Sequence, residues 1–304
     1  MKSRSVRYCL AVSLMALPGL LSAQPTAHYV PGSEGIKGAS LPPPGIYLRD
    51  YNYFYAASQL NDFAGHKFAP ADFNSFVYAN IPRVLYITDT KILDGFVGVD
   101  ALLPFVSQQA KAGMWEDSTF GIGDFFAEGT LSWHLKQFDF AVASGVWAPT
   151  GDSGRPPTTR IGAGYWTFMQ TFGATWYVDE EKTWAVSALN RYEFNTKQRD
   201  THISPGQAYT LEWGISKTLG KVYDVGIVGY YQQQVTTDGG VGAEGSRDRV
   251  AAVGPEVSVA FPKQMLFVSL RYNFEFMAEG GDPFKGESLR AQGQAVTLTL
   301  TKRF

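Results

Sequence analysis

The stretch Leu266–Phe276, LFVSLRYNFEF, most narrows what this chain can fold into. Leu266, Val268, Leu270, Tyr272, Phe274 and Phe276 share one parity, and Ser269, Arg271, Asn273 and Glu275 share the other, with Phe267 as the exception. Side chains on a strand alternate between faces, so one face is wholly apolar and the other carries charge. Two environments accept such a strand: the half-buried sheet of a soluble sandwich, or a barrel wall with lipid outside and water inside.

The rest of the chain favours the wall. From Gly45 onward the sequence divides into twelve extended segments ended by turn chemistry: 46–58, 73–87, 92–107, 122–136, 138–148, 161–178, 183–197, 207–219, 221–236, 249–261, 265–277 and 288–304. The connections alternate in length. Those at 61–72, 108–121, 149–160, 237–248 and 278–287 are long, 198–206 is intermediate, and those at 88–91, 136–138, 179–182, 219–221 and 261–264 are short. An up-and-down transmembrane barrel has this rhythm, with short periplasmic turns and long outer loops. The expected fold is all-β, an antiparallel transmembrane β-barrel of about 12 strands over residues 45–304. Tyr209–Leu219, Trp184–Asn195 and Phe125–Lys136 repeat the two-faced pattern. The face of Tyr47, Arg49, Tyr51, Tyr53 and Tyr55 is ambiguous.

Composition agrees. Charged residues make up 18% of the 304 residues, below the usual quarter, while aromatics reach 14%. Trp133, Trp166, Trp176, Tyr177, Trp184, Tyr223 and Phe276 fall near strand ends, where interface girdles place amphipathic rings. After the N-terminus no run of about 20 apolar residues occurs, which excludes a helical bundle in the membrane. A net charge of −2 without a basic stripe excludes a nucleic-acid partner.

Residues 1–23 read as a secretory signal peptide: Lys2, Arg4 and Arg7, then a short apolar run, then Leu21-Ser22-Ala23. Cys9, the one cysteine, lies inside that run, so the processed chain would hold no thiol or disulfide. Residues 24–44 are polar and rich in proline and glycine, and are expected to form a flexible N-terminal tail, with a plug of the barrel as the alternative. The last strand ends on Phe304, as the closing strands of bacterial outer-membrane barrels do.

Little in the sequence suggests covalent chemistry. Ser132 and His134 share a face, but same-face residues stand roughly 6–7 Å apart along a strand, too far for a nucleophile and its base. No close histidine pair exists, so no zinc site is expected. Asp152, Asp238 and Asp282 sit in glycine-rich loops without the ligand spacing of a calcium loop. Gly121-Ile122-Gly123 lacks the setting of a dinucleotide site. No enzyme, metal or cofactor is expected. The functional candidates are charges on the inward parity: Asp124, Glu128, Arg191, Glu193, Glu212, Arg271 and Glu275. They either pair across strands and fill the lumen, or form a constriction that orients a small solute.

A series of short motifs runs through the chain in order: Gly121-Ile122-Gly123-Asp124, Leu131-Ser132-Trp133-His134, Ala148-Pro149-Thr150-Gly151-Asp152 and Gly164-Tyr165-Trp166-Thr167-Phe168. Arg191-Tyr192-Glu193-Phe194-Asn195-Thr196, Gly229-Tyr230-Tyr231-Gln232-Gln233, Val253-Gly254-Pro255-Glu256 and Arg271-Tyr272-Asn273-Phe274-Glu275-Phe276 complete it. In their order and spacing the chain resembles the MetA-pathway-of-phenol-degradation family of outer-membrane proteins, also called SphA-like, over roughly 45–304. The resemblance implies a bacterial outer-membrane barrel and passive uptake of small hydrophobic or aromatic compounds. The partners implied are the lipid bilayer with its lipopolysaccharide, the solute, and the barrel assembly machinery, engaged through Phe304. The alternative expectation is a structural or adhesive barrel with a plugged lumen and no transport.

Overall fold

A computed structural model describes residues 27–68, 72–153, 159–285 and 287–304. The leader expected over 1–23 lies outside the described residues. The strands are β1 (Gly45–Asn61), β2 (Asn74–Ile92), β3 (Gly95–Leu102), β4 (Phe105–Ala112), β5 (Trp115–Ile122), β6 (Phe125–His134) and β7 (Phe138–Ala148), followed by β8 (Thr167–Tyr177), β9 (Trp184–Asn195), β10 (Ala208–Leu219), β11 (Tyr223–Gln234), β12 (Arg249–Phe261), β13 (Leu266–Glu279) and β14 (Arg290–Arg303). Every pairing is antiparallel, and β1 joins both β2 and β14. Twelve strands thus close into a barrel, with β4 and β5 as two extra strands. Closure gives every wall amide a partner where there is no water to supply one.

The exterior is apolar through the wall. Leu270 and Phe274 are half exposed, whereas Arg271 and Glu275 point inward and are buried. Tyr47 and Tyr51 are buried too, which turns the tyrosine-rich face of β1 into the lumen. On β1 a polar group interrupts the outer face. Asp50 shares the parity of exposed Ile46, Leu48 and Phe54, and the amide nitrogens of Asn80 and Asn52 donate to its two oxygens at 2.8 and 3.0 Å. The Tyr78 hydroxyl donates to Asn52.

Three expectations change. Residues 108–121 are not a loop. β2 is long enough to pair with β3 through Arg83–Ile92 and then with β4 through Asn74–Asn80. β4 and β5 carry the wall beyond a break at Leu103-Pro104 and Gly123-Asp124, joined by a tight turn at Gly113. Gln109, Lys111, Glu116 and Ser118 are exposed there, so the lipid-facing apolar parity, which Phe120 and Ile122 still keep near the break, lapses toward the hairpin tip. Tyr177 is buried inside the barrel and donates to Asp139, while Trp166, Trp176, Trp184, Tyr223 and Phe276 stay exposed on the wall or its rim. The third change concerns the tail: residues 27–44 lie inside the barrel, hydrogen-bonded to its wall.

Candidate functional site: a lined lumen and its inner segment

The inner segment descends from the level of the wall break at Asp124 to the end of the barrel that holds both wall termini. Its tip is His28. The ring lies against Trp147 at 4.9 Å between centroids, nearly parallel, with Tyr165 edge-on. Nε2 stands 2.8 Å from Asp124, and Nδ1 stands 3.0 Å from the Thr167 hydroxyl. The backbone amides of His28 and Tyr29 both donate to Glu193 at 2.8 Å. A carboxylate accepting two successive amides fixes the backbone direction there. Lower down, the Tyr29 hydroxyl donates to Glu212, and Arg191 pairs with Glu212 while its guanidinium lies 3.9 Å from the Tyr29 ring centroid.

Midway, Glu34 accepts from Tyr51 at 2.6 Å and from the guanidiniums of Arg49 and Arg83. Arg83 also grips Asp100 with two nitrogens and reaches Glu128. Arg271 holds Glu256 and donates to the Gly32 carbonyl, while the Ile36 amide donates to Glu256 at 2.9 Å. At the lower end Lys37 pairs with Asp224, Ser40 meets Tyr177, and Arg303 donates to the Pro44 carbonyl. Charges of both signs, buried in a membrane-spanning protein, are thus paired and hydrogen-bonded, which is what makes their burial tolerable.

The seven sequence candidates all project inside, but they do different jobs. Asp124, Glu193, Glu212 and Arg271 bond directly to the inner segment. Arg191 reaches it through the Tyr29 ring. Glu128 belongs to the Arg83 group. Glu275 stands apart and accepts from Tyr55 at 2.9 Å, Tyr230 at 2.8 Å and the Gly293 amide at 2.6 Å. Sequence reasoning missed Glu34, Arg49, Arg83, Asp100 and Glu256. It also set aside His28 as part of a tail. The strict Tyr/Arg alternation over Tyr47–Tyr55 was the available signal for the inward face of β1.

Above the tip of the inner segment the barrel holds a cavity of about 440 Å³. Its β2, β3 and β4 side is mostly apolar, with Phe73, Val77, Ile81, Leu102 and Val106, continued by Ile161 from a loop, and with Ser75, Arg83 and Gln108 as the polar members. Tyr53 and Tyr55 on the neighbouring β1, and Tyr230, Gln232, Gln234 and Arg290 farther round the barrel, present polar groups. Its floor is His28 and Tyr29 against Phe126, Trp147 and Met169, and it rises among the outer loops at Thr201, Gly242 and Ser246. This is the size and mixture typical of a small-molecule site: mostly apolar walls with a few placed polar groups. Among the described residues no group of three His, Cys, Asp or Glu side chains is arranged to hold a metal ion.

Relatives by structure share this architecture. The COG4313 outer membrane channel from Pseudomonas putida F1 superposes with a TM-score of 0.75 at 15% identity, covering 91% of this chain and all of that one. The β domain of the Bordetella autotransporter BrkA superposes with a TM-score of 0.50 at 11% identity, covering 86% of this chain and 99% of that one. These likenesses fix the fold, that of an outer-membrane barrel in a lipid bilayer. No curated protein sequence matches the chain. The family described as "Putative MetA-pathway of phenol degradation" matches residues 57–291, more than half of the chain, and the protein belongs to that family.

Proposed function

We propose that the protein is a passive outer-membrane channel for small hydrophobic or aromatic solutes. The observation that carries this reading is the cavity above His28, apolar on one side and hydrogen-bonding on the other, large enough for a solute of one or two rings. The structural neighbour described as an outer-membrane channel supports it. The wall beside the inner segment is polar, with inward, buried Thr175, Ser187, Ser216, Thr297 and Thr299, so displacing the segment would leave a hydrophilic path toward the periplasm. No step of this function is covalent, and the inward charges position a chain segment rather than activate a nucleophile. The wall would meet lipopolysaccharide outside, and Phe304, 69% exposed, would present the closing strand to the barrel assembly machinery.

The test is flux. Purified protein in planar bilayers and in liposomes is compared with a variant lacking residues 27–40. Conductance together with uptake of aromatic solutes supports the channel. A second reading, a structural barrel with a closed lumen, is favoured by the bonds that anchor the inner segment at both ends. Absence of conductance and solute uptake in both proteins would establish that reading instead.

A further inference from the structure

The outer loops close over the cavity beside Asp248, a carboxylate that receives no hydrogen bond from the described residues. Asp248 lies at the end of the loop between β11 and β12, is 9% exposed, and lines the cavity. Its backbone carbonyl accepts from the Gln234 amide, which fixes its position. No described residue donates a hydrogen bond to its side chain. Arg290 acts on it favourably, but Asp238, Glu244 and Glu287 act against it, and burial pushes its pKa up to about 7. The neighbouring acids are already engaged: Asp238 accepts from the Gly206 amide and Gln234, Glu244 from the Ser288 amide and hydroxyl, and Glu287 from the amides of Gly245 and Asp282. These bonds tie the loop 235–248 to residues 280–285 and 287–289, in a framework in which Asp248 lines the cavity.

A buried carboxylate without donors is costly unless a ligand supplies them. The surrounding charge is negative, so a cationic donor fits better than a neutral one, and an anionic solute is disfavoured. A metal ion does not fit, since the described residues bring no three such ligands together. The wall across the lumen is apolar, at Phe73, Val77 and Val106. We propose that this outer part of the cavity is a binding site for small organic ammonium compounds, with Asp248 receiving the ammonium group and the β2–β4 wall receiving the apolar body.

The inference rests on the uptake reading and names a solute class for the same cavity. Its test is binding to wild-type protein and to Asp248→Asn and Asp248→Ala, with benzylammonium, benzyl alcohol and benzoate as matched probes. Binding is read by block of the ion current from the outer side and by thermal stabilisation in detergent. Benzylammonium is expected to bind wild type at least about tenfold more tightly than benzyl alcohol, the worth of one charge-assisted hydrogen bond, with benzoate weakest. Both variants should lose that preference while keeping the affinity for benzyl alcohol. Equal binding of the three probes, an unchanged preference in both variants, or displacement of benzylammonium by calcium at equal concentration would overturn the site. Loss of all conductance and of all solute uptake, in wild type and in the protein lacking 27–40, is the separate outcome that removes the uptake reading.

Discussion

His28 Nε2 stands 2.8 Å from the Asp124 carboxylate, joining the tip of the inner segment to a break in the barrel wall. Asp124 also accepts from the amides of Gly151 and Ala163, so one side chain ties together wall, outer loop and inner segment. His28→Ala removes the side-chain anchor at the tip and leaves both loop amides bonded to Asp124. Its expected effect is a severalfold rise in single-channel conductance with the melting temperature of the barrel nearly unchanged. Asp124→Ala removes all three bonds and should also increase proteolysis of the loop between β7 and β8. Wild-type conductance in His28→Ala would show that the tip is held by its other contacts.

Gly35 has no room for a side chain. A methyl group there would lie 1.8 Å from a Glu256 carboxylate oxygen and 2.4 Å from Arg271 Nε. Gly35→Ala must therefore push the segment off the wall or split the ion pair. Splitting a buried pair costs about 3–5 kcal/mol. Chemical unfolding in detergent should show a loss of this order or, if the segment moves instead, conductance should rise with little loss of stability. A variant that changes neither would contradict the packing.

On the outer face, Asp50 depends on the amide groups of Asn80 and Asn52. Asn80→Leu leaves the carboxylate with one donor where lipid offers none. A lost partner for a buried polar group costs about 1–3 kcal/mol, and urea unfolding in lipid vesicles measures it. Adding Asp50→Leu, Asn52→Leu and Tyr78→Phe should recover most of the loss, because every member of the polar cluster is then gone.

The acidity of Asp248 gives a pH dependence with a definite sign. Burial raises its pKa to about 7, above the unfolded value, so the folded state binds the extra proton. Stability from this group is present in acid, declines as pH rises above the ordinary carboxylate range, and is lost above about 7. Asp238 shifts the same way through burial, outweighing its bonds from Gly206 and Gln234. Melting temperatures compared at pH 5.5 and pH 8 should fall for wild type and change less in Asp248→Asn. An equal fall in both proteins would assign the dependence to other groups.

Most of the wall was legible because lipid imposes a rule on every second residue. Leu270 and Phe274 could face only one way, and Arg271 and Glu275 the other. Where the wall rises clear of the bilayer the rule lapses, and β4 and β5 read as loop. The inner segment was harder still. Pro42-Pro43-Pro44 and the glycines before them mark a chain without regular structure, whether it floats in solvent or lies inside a barrel. Its order comes from partners far away in sequence, such as Glu193 for Tyr29 and Glu256 for Ile36. No local pattern records such pairings. The charged residues were recognisable as inward, but whether they meet water, each other or a chain segment depends on what fills the space between strands.

The wall is sealed by its first and last strands, from Tyr47 opposite Arg303 to Asn61 opposite Arg290. Pairing β1 with β14 is the step that shuts the ring, and β1 follows directly on residues 27–44, which fill it. That step joins the most distant parts of the chain and carries the largest loss of chain entropy. The bonds from Glu34 to Arg49 and Tyr51 connect the enclosed segment to the strand on one side of the seam. They would gather β1 around its own leading chain before the ring shuts, making the segment a template for closure as well as an occupant of the lumen.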